Sequence, residues 1–330
     1  MKTLIQGGYV VGFNGTSHEI LKDGVVVLED DRVESVGFAY PGRVDTTIDA
    51  RGKLVSPGFI NSHIHASHNA GDYFLNDPGK TDYFGSNYLT YLTPRKGAKG
   101  PQGIEDFRVS GKFALVQAVK NGSTTIMVYG GGADGGDEFV SMVGDLGLRA
   151  YLAPSFRNVN FYYEETGALR YVWDDAVGER GLQQAVAFIQ KHQGAYNGRI
   201  QGMLYPRQPD TCTAELLKKT KEAAKELGIR IQIHAAINLI EFHQILMQHG
   251  KTPIAFLHDL GFLGPEVILA HCVFLTGHSW TVLPRGDDLG LIADSGASVS
   301  HSPFKYAKLG IAMESCANGM KSMRKEGDCG

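Results

Sequence analysis

The chain has 330 residues, 43% of them hydrophobic and 20% charged, with a formal net charge of -3, the profile of an ordinary globular protein. Lys plus Arg (32) is slightly outnumbered by Asp plus Glu (35), which excludes the basic stripe of a protein that tracks nucleic-acid phosphates. No apolar run approaches the roughly 20 residues that cross a bilayer, and the first residues lack the apolar stretch of a signal peptide, so the expectation is a cytoplasmic protein with neither nucleic-acid nor membrane partners.

Residues 1–55 read as short strands at 3–12, 24–30 and 32–36 separated by turns, with no helical periodicity, and are expected to form a small β-rich domain of their own. From residue 54 onward apolar, β-rich runs alternate with helical stretches. The strands are predicted at 54–60, 123–129, 149–155, 200–205, 230–234, 267–271 and 297–301. Helices are predicted near 105–120, 137–146, 179–193, 213–227, 240–250 and 279–294, with a last one near 307–325. Seven consecutive βα units without a reversal predict an α/β fold, a (β/α)8 TIM-type barrel of which about seven units are present over residues 56–330. Cys212, Cys272, Cys316 and Cys329 are scattered without a CxxC pair, so they read as small buried hydrophobes and not as a disulfide or zinc-thiolate framework.

Two connections are rich in aromatic residues. The first, from Ala66 to about Ile104, carries Tyr73, Phe74, Tyr83, Phe84, Tyr88 and Tyr91, which suit either a lid over a flat aryl or heterocyclic molecule or the interface of a dimer. The second, from Phe156 to Trp173, carries Phe161, Tyr162, Tyr163 and Tyr171 and is read as a loop open to the same two alternatives.

The histidines carry the chemistry. His63 and His65 close an apolar strand-like run, and side chains at i and i+2 of a strand share a face, so both imidazoles can address one point. Imidazole is a favoured ligand of zinc and similar divalent ions. His234, His271 and His301 also end apolar strands, and barrel active sites lie where strands end and βα loops begin. His68 reads as a solvated loop residue, while His243, His249 and His258 fall in or near outer helices and are assigned no chemistry. Arg207, at a strand end, is a candidate contact for a substrate carboxylate or carbonyl. The run Tyr129-Gly130-Gly131-Gly132-Ala133 resembles a phosphate loop only superficially, since no lysine follows it.

Three segments resemble the amidohydrolase superfamily, in the branch that contains triazine chlorohydrolases and cytosine and guanine deaminases. They are Pro57-Gly58-Phe59-Ile60-Asn61-Ser62-His63-Ile64-His65, then Leu269-Ala270-His271-Cys272, then Val299-Ser300-His301-Ser302-Pro303 followed by Lys308-Leu309-Gly310. Gly24-Val25-Val26-Val27 and Ala50-Arg51-Gly52-Lys53-Leu54-Val55 are similar to the small β-sandwich that precedes the barrel there. The resemblance implies one divalent ion, zinc first and iron as the alternative, held by His63, His65 and His234, with an aspartate from an eighth strand completing the site. His271 would be the catalytic histidine that holds the nucleophile or polarises the carbonyl oxygen. Beside what the resemblance implies, His301 and Arg207 at strand ends, Asn238 after His234 and Tyr73 in the first aromatic connection are read as substrate contacts. The resemblance implies a hydrolase that attacks an electrophilic carbon of a small molecule; a homo-oligomer, a dimer, is expected separately. Binuclear relatives carry a lysine at the end of the fourth strand; here that strand ends Tyr205-Pro206-Arg207, which favours one metal.

Two departures qualify the resemblance. Relatives of this branch carry a proton-shuttling glutamate three residues after the fifth-strand histidine, where this chain has Ile237. That shifts the expectation toward amide, urea or carbamate hydrolysis, with deamination or dechlorination of a purine, pyrimidine or triazine as the alternative. Glu241 is expected on an exposed helix face. In addition, the sequence reaches Gly330 without an apolar eighth strand, so a truncated chain with two unpaired barrel edges is expected, and an inactive homologue is a further alternative.

Overall fold

Ser56-Pro57-Gly58 interrupts the predicted first barrel strand, because proline has no N–H to give a ladder. In the computed structural model, which describes residues 1–66, 104–130, 136–163, 169–283 and 285–308, two separate strands flank that break. Two compact units result, one spanning Met1–Phe59 and the other beginning at Ile60.

The first unit is a mixed five-stranded sheet. β1 (Lys2–Phe13) lies antiparallel to β2 (His18–Glu29), which pairs in turn with β3 (Arg32–Gly37). β4 (Thr46–Asp49) and β5 (Leu54–Val55) both run parallel to β1. Residues 54–55 therefore belong to this sheet and not to the barrel, a correction of the 54–60 prediction. The sequence places a β-sandwich here; the described residues supply this single sheet.

The second unit holds the barrel strands β6 (Phe59–Ile64), β7 (Ser123–Tyr129), β8 (Arg149–Ala153), β12 (Ile200–Pro206), β13 (Arg230–Ala235), β14 (Val267–His271) and β15 (Ser298–Ser300), with neighbours in that order. A short β9 (Ser155–Phe156) extends β8 and pairs with β12. The ladders joining β7, β8, β12, β13, β14 and β15 are parallel. β12, β13 and β14 are buried almost throughout, which is why they read as continuous apolar runs without alternation. The core lies between these strands and the helices outside them, with Met203, Leu204, Leu217, Ile231, Ile233 and Leu269 fully buried. The path ends at β6 and β15, whose side chains nevertheless meet: Ser62 Oγ and Ser300 Oγ are 2.7 Å apart. The barrel is thus nearly closed by seven strands, as the βα pattern implies.

The helices are α1 (Ile104–Lys120), α2 (Gly136–Asp145), α3 (Asp175–His192), α4 (Ala214–Leu227), α5 (Leu239–His249), α6 (Pro253–Asp259), α7 (Asp288–Ser295) and α8 (Pro303–Lys308). Their starts follow local chemistry: Asp174, Thr213, Asn238, Thr252 and Asp287 each accept a backbone N–H of the first turn. Three predictions need correction. The helix expected over 279–294 is confined to α7, because the chain just ahead of it is not helical, Gly286 having φ +142. α6 was not anticipated, although Thr252 followed by Pro253 at its first position is a helix start. The aromatic connection 156–173 is a hairpin of β10 (Val159–Tyr163) and β11 (Leu169–Trp173) with Phe161 opposite Tyr171, since β-branched and aromatic residues there favour a ladder. The long connection carrying Tyr73, with His68, lies outside the described residues, as do Cys316, Cys329 and most of the helix expected over 307–325. Cys212 and Cys272 are buried as expected.

Candidate metal centre

Strand alternation brings the site together. His63 lies near the carboxyl end of β6 and His65 just beyond it, while Gln232 and His234 lie two apart on β13 and therefore share a face. Nε2 of His63 is 3.1 Å from Nε2 of His65, which is 3.2 Å from Nε2 of His234. The ring planes of His65 and His234 are stacked 5.2 Å apart.

The tautomers of two of these rings follow from their other nitrogens. His234 Nδ1 lies 2.9 Å from the carbonyl oxygen of Arg207, which can only accept, so Nδ1 carries the hydrogen and Nε2 the lone pair. His63 Nδ1 lies 2.9 Å from Oε1 of Gln232. The Nε2 amide of Gln232 in turn faces the carbonyl of Ser62 at 2.6 Å, so the amide oxygen must face His63, whose Nδ1 then donates. Two Nε2 lone pairs consequently converge on His65. Burial holds His63 down at about 4, and burial, reinforced by the other histidines and Arg207, holds His234 well below the ordinary histidine value. Neutral rings with convergent lone pairs are the donor set a divalent cation requires. For a Zn–N bond of about 2.0–2.1 Å, tetrahedral ligand atoms stand ~3.3 Å apart, so the two observed separations fit such an ion.

His271 stands beside this group. It is fully buried, stacks on His234 at 5.2 Å and meets His63 edge-on at 4.8 Å. Neither ring nitrogen has a hydrogen-bond partner among the described residues. Its backbone is left-handed (φ +85), as is that of Cys272 (φ +49), a conformation costing of order 1–3 kcal/mol that is characteristic of functional sites. Burial, then His63 and Lys305, keeps its imidazole neutral.

Of the remaining residues named from the sequence, His301 directly follows β15 and has a buried Nδ1 without a partner among the described residues. Arg207 follows β12; its carbonyl holds His234, and its buried Nε is likewise unpartnered there. Asn238 caps α5, its side-chain oxygen accepting from the backbone of Glu241 at 2.8 Å. Tyr73 lies outside the described residues. Glu241 is not on an exposed face. It is fully buried, and its two oxygens accept from the backbone nitrogens of Ala236 (2.9 Å) and Ile237 (2.8 Å), because α5 turns its first residues back onto the end of β13. Burial and the neighbouring Asp210 push this carboxyl well up.

Two residues escaped the sequence reading. Gln232 is a polar residue inside the apolar run Ile231-Gln232-Ile233-His234, which is the signal that could have flagged it. Tyr129 ends β7, packs its ring 4.0 Å from that of His234 and places its hydroxyl 2.6 Å from the carbonyl of Arg207. The residue after it, Gly130, has φ +72, which lets the chain turn immediately behind that ring.

A parallel α/β barrel with three convergent imidazoles at the carboxyl ends of its strands defines a protein of the metal-binding barrel class. Residues 54–324 match the model of the amidohydrolase family, and the chain belongs to that family. A 5'-deoxyadenosine deaminase of Methanosarcina mazei is 30% identical over 308 residues, covering 93% of this chain and 63% of that protein. A 5-methylthioadenosine/S-adenosylhomocysteine deaminase of Thermococcus onnurineus is 29% identical over 314 residues, covering 94% of this chain and 65% of the relative. The chain thus spans just under two thirds of the length of these relatives. Among solved structures, atrazine chlorohydrolase TrzN from Arthrobacter aurescens TC1, complexed with zinc, superposes with a TM-score of 0.71 at 21% identity over 93% of this chain and 67% of the other. Guanine deaminase from C. acetobutylicum, with bound guanine, gives 0.69 at 18% identity over 94% and 70%. The fold is therefore that of the amidohydrolase barrels.

Proposed function

We propose that the chain carries the metal-binding centre of a hydrolase that cleaves a carbon–nitrogen bond of a small aromatic or heterocyclic molecule. The convergence of the His63, His65 and His234 Nε2 atoms, two of them fixed as lone-pair donors, carries this reading. Those three residues would hold one divalent ion, zinc first and iron second. Such an ion supplies a nucleophile from water near neutral pH and polarises the bond under attack. His271, buried and neutral with both ring nitrogens uncommitted among the described residues, is the group that receives or returns a proton beside the reacting carbon. His301 and Arg207 supply polar contacts from neighbouring strand ends. The domain reading that accompanies this places a β-rich segment over 1–55 and the hydrolase barrel from 56 onward. A cytoplasmic homodimer is the expected form, and among the described residues no helix is long and apolar enough to cross a membrane.

Within that class, Ile237 in place of an acid favours amides, ureas or carbamates. A second reading, deamination of an adenosine-type nucleoside, rests on the curated deaminase relatives. The test is ammonia release and product formation by zinc-reconstituted protein. The panel is 5'-deoxyadenosine, 5-methylthioadenosine, guanine, an aminotriazine, an aryl amide and an aryl urea. Turnover of the amide or urea supports the first reading, and turnover of a nucleoside supports the second. Failure with every member, in protein holding one zinc per chain, overturns both.

A further inference from the structure

Gln232 stands between Ile231 and Ile233 on β13, the one buried polar side chain on the strand ahead of His234, and it is fully buried. An uncharged amide in such a place is costly unless both ends are satisfied. Both are, and by residues of a different strand. Its nitrogen donates to the main-chain carbonyl of Ser62 at 2.6 Å, and its oxygen accepts from Nδ1 of His63 at 2.9 Å. The order of these bonds admits no reversal. The Ser62 carbonyl has lone pairs only, so the NH2 must face it; the oxygen must then face His63, and His63 must carry its hydrogen on Nδ1. The lone pair of His63 is left on Nε2, 3.1 Å from Nε2 of His65.

We infer that Gln232 is a positioning residue that sets the tautomer and the ring angle of His63, reading the direction of one backbone carbonyl and transmitting it to the ligand nitrogen. The inference rests on the reading of His63, His65 and His234 as a metal centre. Arg207 performs the corresponding service for His234 with a main-chain carbonyl, which no side-chain substitution removes. Gln232 is therefore the point at which a side-chain change acts on one ligand alone. Outer partners of ligating histidines characteristically govern metal affinity by about 10–100-fold.

Two variants separate positioning from packing. Gln232→Leu keeps the volume and removes both hydrogen bonds. In Gln232→Glu, the protonated carboxyl donates to the Ser62 carbonyl and still accepts from His63, so the relay survives. Zinc affinity is measured on the whole chain by competition with a chromophoric chelator, and the ring tautomers of metal-free, 15N-histidine-labelled protein are read from long-range nitrogen–proton correlations. The expected result is an Nδ1–H tautomer for His63 in the unaltered protein and in Gln232→Glu. Gln232→Leu should show a mixed tautomer and a 10–100-fold loss of zinc affinity with one ion still bound at saturation. An Nε2–H tautomer in the unaltered protein overturns the inference, as does unchanged zinc affinity in folded Gln232→Leu. Should Gln232→Leu fail to fold, the tautomers of the unaltered protein and of Gln232→Glu decide alone. If the unaltered protein binds no zinc, the metal reading fails, and the tautomer measurement still judges Gln232 separately.

Discussion

Nε2 of His65 lies 3.2 Å from Nε2 of His234, although 168 residues of sequence separate the two, His65 just past the end of β6 and His234 on β13. The His234 nitrogen at that contact is a lone-pair donor, because Nδ1 is bound to the Arg207 carbonyl. A cation between the rings satisfies both. The unaltered protein is therefore expected to bind one zinc ion per chain by metal analysis after dialysis, and His234→Ala to retain well under one. Chelation should lower the melting temperature of the unaltered protein and leave that of His234→Ala unmoved, since only the former has bound-state stabilisation to lose. Equal zinc content in the two proteins would sink the assignment.

Acid should unfold the metal-free protein through the same histidines. His63 is held at about 4 by burial, and His234 and His271 are shifted in the same direction, while all three take up protons near 6.5 in the unfolded chain. Between these values the unfolded state binds more protons than the folded one, so stability is complete above pH 6.5 and falls as the pH drops toward about 4. His63 alone accounts for roughly 3 kcal/mol of that loss. Urea titrations at pH 7.5, 6, 5 and 4.5 should show the decline, and it should shrink in His63→Gln. A midpoint independent of pH would contradict the burial of these rings as neutral groups.

The histidines were legible in the sequence because strand periodicity aligns i and i+2 and because each ends a run of apolar residues. What periodicity could not show is which side chains from distant strands answer one another. Gln232 gains its meaning only once β13 lies near β6, 169 residues earlier in the chain, with its amide against His63. Glu241 was misread for a related reason. Its spacing from Asn238 marks the first turn of α5, yet nothing local reveals that this turn folds back over the end of β13 and buries the carboxylate. The ladder of β10 and β11 is not legible in the sequence, because the aromatic residues of 156–173 show their pairing only once the two strands lie side by side.

Glu241 supports the site from behind. By accepting from Ala236 and Ile237 it holds a left-handed residue, Ala236 (φ +50), whose carbonyl receives the backbone N–H groups of Val273 (3.0 Å) and Phe274 (2.9 Å) just after His271. One carboxylate thereby braces the loops that follow both His234 and His271. Glu241→Leu strands one buried and one part-buried N–H group, at roughly 1–3 kcal/mol for the first and less for the second, and should destabilise the protein by about 1–4 kcal/mol in urea unfolding. Glu241→Gln keeps one good acceptor and should lose about half as much. A loss below 0.5 kcal/mol for Glu241→Leu would show that these hydrogen bonds are dispensable.

Ile237 lies three residues after His234, the position at which the resemblance implies a proton-shuttling glutamate. Its main chain is tied down at both ends, the N–H by Glu241 and the carbonyl by the Tyr306 hydroxyl at 3.3 Å, so a change of side chain leaves the backbone where it is. In Ile237→Glu the new carboxyl lies in a half-buried setting, and partial loss of water raises its pKa above the ordinary carboxylate value. A group of that kind is suited to protonating a departing amine, a contribution typically worth about 10²–10⁴ in rate. Ile237→Glu is accordingly expected to raise ammonia release from 5'-deoxyadenosine by at least about tenfold. Under the amide or urea reading proposed above, hydrolysis of an aryl amide or urea should change little, because that reading needs no acid at this position. The measurement is kcat on each substrate at pH 7, with zinc content matched between the two proteins. An unchanged nucleoside rate, with the metal retained, would mean that the proton reaches the leaving nitrogen by another route, for which His271, stacked on His234 with both ring nitrogens unpartnered among the described residues, is the candidate to test next.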